Sequence, residues 1–541
     1  MKIKYKGLLL FLTISVVSNC YSQTTDWAVK FADAIIARWP SGINSMTGKG
    51  WEYSNSIILH GIEKVYEETG DAKYLNYIKN YVDDYINSSG TINYNSDAHN
   101  LDYIHPSLLC MFLYEQTGQE KYKIAAQNTR LKFDSHPRNA SGGYWHKDKY
   151  PNQMWLDGIY MAEPFLVKYG NMFNDTAYCS EEATFQILLL AQHAYDNSKK
   201  LLYHGWDETK AASWANSTTG VSPEIWSRAM GWYTMALVDV LKYLPETDDK
   251  YDDLVALIGN IAEGLKNTQD ATTGLWYQVV DKGNLSSNWI ETSGSGMFIY
   301  GLKHAIDMGY IDASYMTVVN KAWEGFQTYI TLDGSSRPVI SNYVGGMGIK
   351  DSYSVYVSQS KETCPPSTHP HGYCGALMAA TAMENTPKSM FQTHINVNGD
   401  GSYEFLTGGI MSDSGKVVTI KAVSGGDPFT SWTGDVNSTN STVSFTIKGT
   451  TSLNLNFGTT SVKKSETVIN IVYPNPVDDK LYIETTNAVK LVEVFNANGS
   501  LERRIKEIDG NYIDLSDIND GLYYITVITD KNSFTKKLIK K

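Results

Sequence analysis

The chain has 541 residues, 42% of them apolar and 12% aromatic, and a formal net charge of −12. That length exceeds one ordinary core, so two to four domains are expected. The acidic balance argues against nucleic acid as a partner, because backbone binding needs a basic face. An anionic small ligand stays open, since a single cleft can be locally positive.

Residues 1–22 read as a signal peptide. Lys2, Lys4 and Lys6 form a basic start, Gly7–Val17 an apolar stretch, and Cys20-Tyr-Ser22 places small residues before a cut. The run is too short to span a bilayer, and no other stretch is a candidate. Lipidation at Cys20 is the alternative, which the residues before it fit poorly.

From 25 to about 388 a helical period dominates. The spacing predicts helices at roughly 25–39, 54–69, 72–87, 104–117, 119–134, 156–170, 180–198, 224–243, 249–267, 293–308, 312–330 and 372–384. Thr69-Gly70-Asp71 and Thr117-Gly118-Gln119 read as tight joints, with glycine where a left-handed cap is needed. Pro223 is expected near the start of its helix. Tight joints alternate with longer connections rich in Gly, Asn, Trp and His, at 88–103, 135–155, 199–222, 268–292 and 331–371. Six hairpins joined this way predict a mainly α fold, an (α/α)6 barrel over 23–390, with the long connections and a cleft at one end.

Near residue 390 the pattern changes. Lys416–Val423, Ser441–Lys448 and Thr451–Phe457 are rich in β-branched residues. Two small all-β modules are expected, at 391–458 and 469–541, joined by a Ser/Thr/Lys linker at 459–468. The last segment resembles the C-terminal sorting domain of the type IX secretion system, through Tyr473-Pro-Asn-Pro476, Leu481-Tyr-Ile483, Gly521-Leu-Tyr-Tyr-Ile-Thr-Val527 and the basic end Lys536-Lys-Leu-Ile-Lys-Lys541. The resemblance implies an export address, removed in transit, with the secretion machinery as its partner and a secreted or surface location. The 391–458 module resembles repeat-type β domains of bacterial surface proteins, through Val418-Thr-Ile-Lys-Ala422, Ser431-Trp-Thr-Gly-Asp435 and Leu453–Phe457. A spacer and a weak glycan contact are its two readings.

Besides Cys20 there are Cys110, Cys179, Cys364 and Cys374, too few for a disulfide scaffold in a chain this size. Cys364 and Cys374 flank one loop, where a bridge and two free thiols are equally open. No CxxC or HExxH pattern points to a metal. The 37 Tyr and 13 Trp mostly pack cores, but such rings also cover the apolar faces of sugars.

Two carboxylates carry the chemical reading. Asp157 opens a helix within Pro151-Asn-Gln-Met-Trp-Leu-Asp-Gly-Ile-Tyr-Met161. A helix-opening Asp is ordinarily a solvated group favoured by the dipole. These flanks are instead apolar and aromatic, which disfavours its charge and suits a general acid. Asp102, in Asn100-Leu-Asp102, ends another long connection and would face the same ligand. Further candidates are His146 in Gly143-Tyr-Trp-His146, His204 in Tyr203-His-Gly-Trp206, and Arg228 between Trp226 and Trp232. A guanidinium among such rings can grip a carboxylate in bidentate fashion. Tyr53 and Trp51 are read as an aromatic wall. Glu291-Thr-Ser-Gly-Ser-Gly296 opens a helix whose N–H groups are read either as plainly capped or as offered to an anion.

Over about 25–388 the chain resembles glycoside hydrolase family 105, the unsaturated rhamnogalacturonyl hydrolases. The residues are Trp155-Leu-Asp-Gly-Ile-Tyr-Met161, Asn100-Leu-Asp102, Gly143-Tyr-Trp-His146 and Ser227-Arg-Ala-Met-Gly-Trp-Tyr233. The sister family 88 typically continues its arginine motif Gly-Gln-Ala-Trp, which this chain lacks. The resemblance implies an (α/α)6 barrel that removes a 4,5-unsaturated uronate from oligosaccharides made by polysaccharide lyases. Asp157 would protonate C4 of the enol ether, Asp102 would be its partner, and Tyr53, His146, His204, Trp226, Arg228 and Trp232 would surround the sugar. No cofactor or metal is implied. A family 88-like enzyme acting on glycosaminoglycan fragments and a non-catalytic glycan-binding protein are the alternatives.

Overall fold

The computed structural model describes residues 26–94, 99–458, 470–485, 488–496, 501–505, 512–529 and 533–541. The expected signal peptide and the linker 459–468 lie outside them. Among the described residues the helical period becomes twelve long helices. They are α1 (Trp27–Arg38), α2 (Tyr53–Thr69), α3 (Ala72–Tyr85), α4 (Ser107–Thr117), α5 (Glu120–Lys132) and α6 (Leu156–Phe173). After them come α7 (Thr176–Ala194), α8 (Ser227–Leu241), α9 (Tyr251–Thr268), α10 (Thr292–Asp307), α11 (Met316–Gln327) and α12 (His371–Glu384).

The even-numbered helices form the inner ring. Each packs on the next, from α2 through α4, α6, α8 and α10 to α12, and α12 packs back on α2. The odd-numbered helices lie outside, each against an inner one. The sequence explains the division. α6 and α12 are buried along nearly their whole length, whereas α3 and α5 bury one stripe and keep charged residues outward. Small residues let inner helices approach closely. A Cβ on Gly296 of α10 would lie 2.2 Å from the Gly375 carbonyl oxygen of α12.

Gly70 and Gly118 end α2 and α4 at φ +67° and +64°, each N–H donating to a carbonyl four residues back at 2.8 Å. Such joints all lie at the C-terminal ends of the inner helices, so the long connections gather at the N-terminal ends. Two boundaries differ from expectation. α7 spans 176–194 rather than 180–198, because the strand Tyr195–Asp196 turns back onto Leu201–Leu202. Pro223 is not at a helix start. Trp226 bridges Val279 in extended form and α8 begins only at Ser227.

Strands Met390–Asn398 to Thr451–Phe457 follow α12. They make a four-stranded and a three-stranded sheet, with Met390–Asn398 and Thr451–Phe457 pairing in parallel. Val418, Ile420, Trp432, Leu453 and Leu455 are buried in this module. It touches the C-terminal ends of the inner helices. Asn171 of α6 donates to the Met411 carbonyl at 3.0 Å and accepts from the Met411 N–H at 2.5 Å, and Lys242 pairs with Asp413 at 3.2 Å. The chain divides into two compact units, the second formed mainly by 457–541. Among its described residues that unit has a three-stranded and a four-stranded sheet over a core that includes Leu481, Val492, Ile525 and Val527.

Cys364 and Cys374 are not bridged: Cys110, Cys179, Cys364 and Cys374 are all free and buried. Cys374 lies within α12, and the Cys364 thiol donates to the Ser367 carbonyl at 3.2 Å. Among the described residues no helix is long and apolar enough to cross a membrane.

Candidate active site

Backbone pairing between the long connections assembles the site. Asn100 bridges Lys147, and the Leu101 N–H donates to the His146 carbonyl at 3.1 Å. That pairing brings Asp102 beside both side chains of His146-Lys147. Strand Gln153–Trp155 pairs antiparallel with Gly205–Asp207, and the Leu156 N–H donates to the His204 carbonyl at 3.0 Å. His204 thereby stands next to Asp157.

The first carboxylate is almost wholly enclosed. The Asp102 side chain is 3% exposed, its Oδ1 lies 3.7 Å from His146 Nε2, and its Oδ2 is ion-paired with Lys147. Burial works against the Lys147 ammonium, but the Asp102 charge outweighs it and raises the lysine pKa above its ordinary value. Burial, with the Lys147 charge beside it, holds His146 well below the ordinary histidine range, so its ring is neutral. Burial and the Asp102 charge also push Glu52 up.

The second carboxylate keeps an opening. The Asp157 side chain is 15% exposed, and its Oδ2 lies 3.1 Å from Nε2 of the fully buried His204. Rings stack beside these groups: His146 on Trp155 at 4.6 Å and Trp155 on Tyr150 at 4.5 Å. Gly158 makes this possible. A Cβ there would stand 2.9 Å from His146 Nδ1 and 3.0 Å from Leu101 Cδ1. Gly158→Ala is therefore expected to displace the ring and lower kcat, at a stability cost of about 1–3 kcal/mol. Initial rates and a urea unfolding curve measure both; a variant matching the native protein in each would show that the ring yields freely.

Other expected residues divide. Tyr53 donates to or accepts from His371 Nε2 at 3.1 Å and meets Trp232 edge-on at 6.3 Å. Burial, then the Asp102 charge, raises the Tyr53 pKa. Trp226 packs on His204 at 4.7 Å and donates to Gln278 at 3.1 Å. Arg228 is 1% exposed and lies over Trp226 at 4.6 Å. Its fork is already engaged, with Val344 O at 2.5 Å, Ser293 Oγ at 3.2 Å and Gly345 O. It ties the 344–345 chain to the site as well as supplying charge.

One reading is corrected and one open reading is decided. Trp51 is no cleft wall. It is 1% exposed and stacks on Tyr81 of α3 at 5.9 Å, inside the core. The α10 N-terminus is not open to a ligand, because the Glu291 carboxylate itself accepts from the Ser293 and Gly294 N–H groups at 3.2 and 2.6 Å. Lys147, Tyr356 and His371 were missed. Lys147 directly follows the His146 motif; Tyr356 and His371 lie in the long 331–371 connection, where no period singles them out. Among the described residues no three His, Cys, Asp or Glu side chains are grouped to hold a metal ion.

The helical ring carries carboxylates, imidazoles and stacked rings on its connections, and the family it matches gives the class, a glycoside hydrolase. The chain belongs to Glycosyl Hydrolase Family 88, whose family model matches residues 27–386. A solved family 105 glycoside hydrolase from C. acetobutylicum ATCC 824 is 34% identical, with a TM-score of 0.63 over 66% of this chain and 99% of that one. The unsaturated rhamnogalacturonyl hydrolase YesR of Bacillus subtilis (strain 168) is 25% identical over 254 residues, 45% of this chain and 68% of that protein. Protein Atu3128 of Agrobacterium fabrum is 36% identical over 151 residues, 28% of this chain, and the chain spans only 63% of its length. The secretion system C-terminal sorting domain matches residues 471–541, which marks the chain for export.

Proposed function

We propose that the chain removes the terminal 4,5-unsaturated uronic acid from rhamnose-linked oligosaccharides released by polysaccharide lyases of rhamnogalacturonan or ulvan. Asp157 protonates C4 of the enol ether, water adds at C5, and the hemiketal opens and expels the neighbouring sugar. Asp102 is its partner carboxylate. The observation that carries the reading is the contrast between the two carboxylates. Asp102 is enclosed and held by Lys147, whereas Asp157 is held through one oxygen only and retains exposure. Two such environments suit a fixed charge and a proton donor. Tyr53, His146, His204, Trp226, Arg228 and Trp232 surround the sugar in this reading. The relative named for unsaturated rhamnogalacturonyl hydrolysis supports the substrate class, and the partners are this acidic oligosaccharide and the type IX secretion machinery.

The test is a panel of lyase products from rhamnogalacturonan, ulvan and glycosaminoglycans, followed by loss of the enol-ether absorbance. Loss on the rhamnose-linked products is expected. Turnover confined to glycosaminoglycan products, or binding without loss of absorbance, would overturn the proposal.

A further inference from the structure

Asp157 is held through two further side chains. Its Oδ2 lies 3.1 Å from His204 Nε2, and His204 Nδ1 lies 2.8 Å from the Tyr356 hydroxyl. Both rings are buried at 0% exposure. Tyr356 sits on a one-turn helix, Tyr353–Val357, in the long connection before α12. The Tyr356 carbonyl accepts from Gln278 Nε2 at 3.2 Å, and Gln278 in turn accepts from Trp226, whose ring packs on His204. The Tyr356 main chain and the His204 ring are thus both fixed.

A phenol has one proton to give, and a neutral imidazole has one N–H and one bare nitrogen. With His204 Nδ1 as its hydrogen-bond partner at 2.8 Å, the buried Tyr356 phenol gives its proton to that nitrogen. The imidazole proton then stands on Nε2 and is donated to Asp157.

We propose that Tyr356 is a positioning residue for the hydration step, holding His204 as the Nε2–H tautomer so that it donates to Asp157 Oδ2 and cannot strip the proton that Asp157 delivers. This rests on the reading of Asp157 as the acid. In the step, the O–H bond at Asp157 Oδ1 breaks and the enol-ether π electrons form the C4–H bond. Positive charge develops across C5 and the ring oxygen. Water then bonds to C5 and returns a proton to Asp157, while His204 keeps its proton throughout.

Charged groups around this relay are partnered. Asp157, Glu224 and Asp351 act on Tyr356, and His146 lies near both Asp157 and His204. Glu224 is paired with Lys282 at 2.5 Å, and Asp351 accepts from the Ser213 hydroxyl at 2.9 Å.

The test uses the full chain labelled with nitrogen-15 histidine, together with Tyr356→Phe. The expected spectrum has His204 protonated at Nε2 and bare at Nδ1. In the variant kcat falls about tenfold or more, KM stays within about threefold, the kcat–pH profile moves, and the unfolding midpoint is kept. An Nδ1–H tautomer in the native protein overturns the proposal, as does a variant with native kcat and pH profile. The tautomer is read without substrate. A native protein with the Nε2–H form but no turnover on any unsaturated oligosaccharide would sink the assigned reaction and leave the relay standing.

Discussion

Asp157→Asn is expected to remove essentially all turnover, a fall of about 10²–10⁴-fold in kcat, the usual contribution of a general acid. The amide keeps an oxygen to accept the His204 Nε2–H, so the 3.1 Å contact survives. What disappears is the transferable proton. The side chain is 15% exposed and the amide keeps the contact to His204, so stability should change by less than about 0.5 kcal/mol. Absorbance rates on unsaturated oligosaccharide beside a urea melt separate the two effects. Activity within tenfold of the native enzyme would remove Asp157 from the acid role.

Arg228→Ala is expected to have the largest effect on stability, about 3–5 kcal/mol for several buried acceptors left unsatisfied. The guanidinium is 1% exposed and donates to two main-chain carbonyls and to Ser293 Oγ. Truncation leaves those acceptors without donors in a place water does not easily reach. It also removes the donor to the Ser293 hydroxyl, which in turn donates to Glu291 at 2.6 Å. Lysine should restore little, because one ammonium cannot span the Val344 and Gly345 carbonyls as a planar fork does. Activity should fall as well, since residues 344–345 begin the segment that leads to Tyr356. The measurement is the urea midpoint of the catalytic domain for Arg228→Ala and Arg228→Lys. A native midpoint in the alanine variant would mean that the carbonyls find other donors.

The outer helices were legible because each buries a stripe repeating every 3.6 residues, and the inner ones as long apolar runs closed by turn residues; both signals are local. The motifs around Asp102, His146, Asp157 and Arg228 were legible as unusual polar residues among aromatic flanks. One misreading and two readings left open share a cause. Trp51 was assigned to the cleft because it stands two residues from Tyr53, but the helix start turns the two side chains toward different neighbours. Glu291 was compatible with a capped or an open helix end, and only the rotamer that folds its carboxylate over Ser293 and Gly294 decides which. Cys364 and Cys374 are ten residues apart, yet one lies on a strand and the other inside an inner helix. Spacing along the chain carries no information about that separation.

By itself the sequence determined the helical hairpins, the alternation of tight joints and long connections, the strand-rich end and the residues able to do acid chemistry. Those properties follow from periodicity, turn chemistry and side-chain type, which are fixed over a few residues. Tertiary structure alone decided how the groups act together. Asp102 is clamped by Lys147 through the bridge from Asn100, Asp157 is held by His204 through the strand before α6, and Tyr356 arrives from a connection roughly 150 residues beyond His204. Hydrogen bonds between distant connections set those pairings, and no local pattern encodes them.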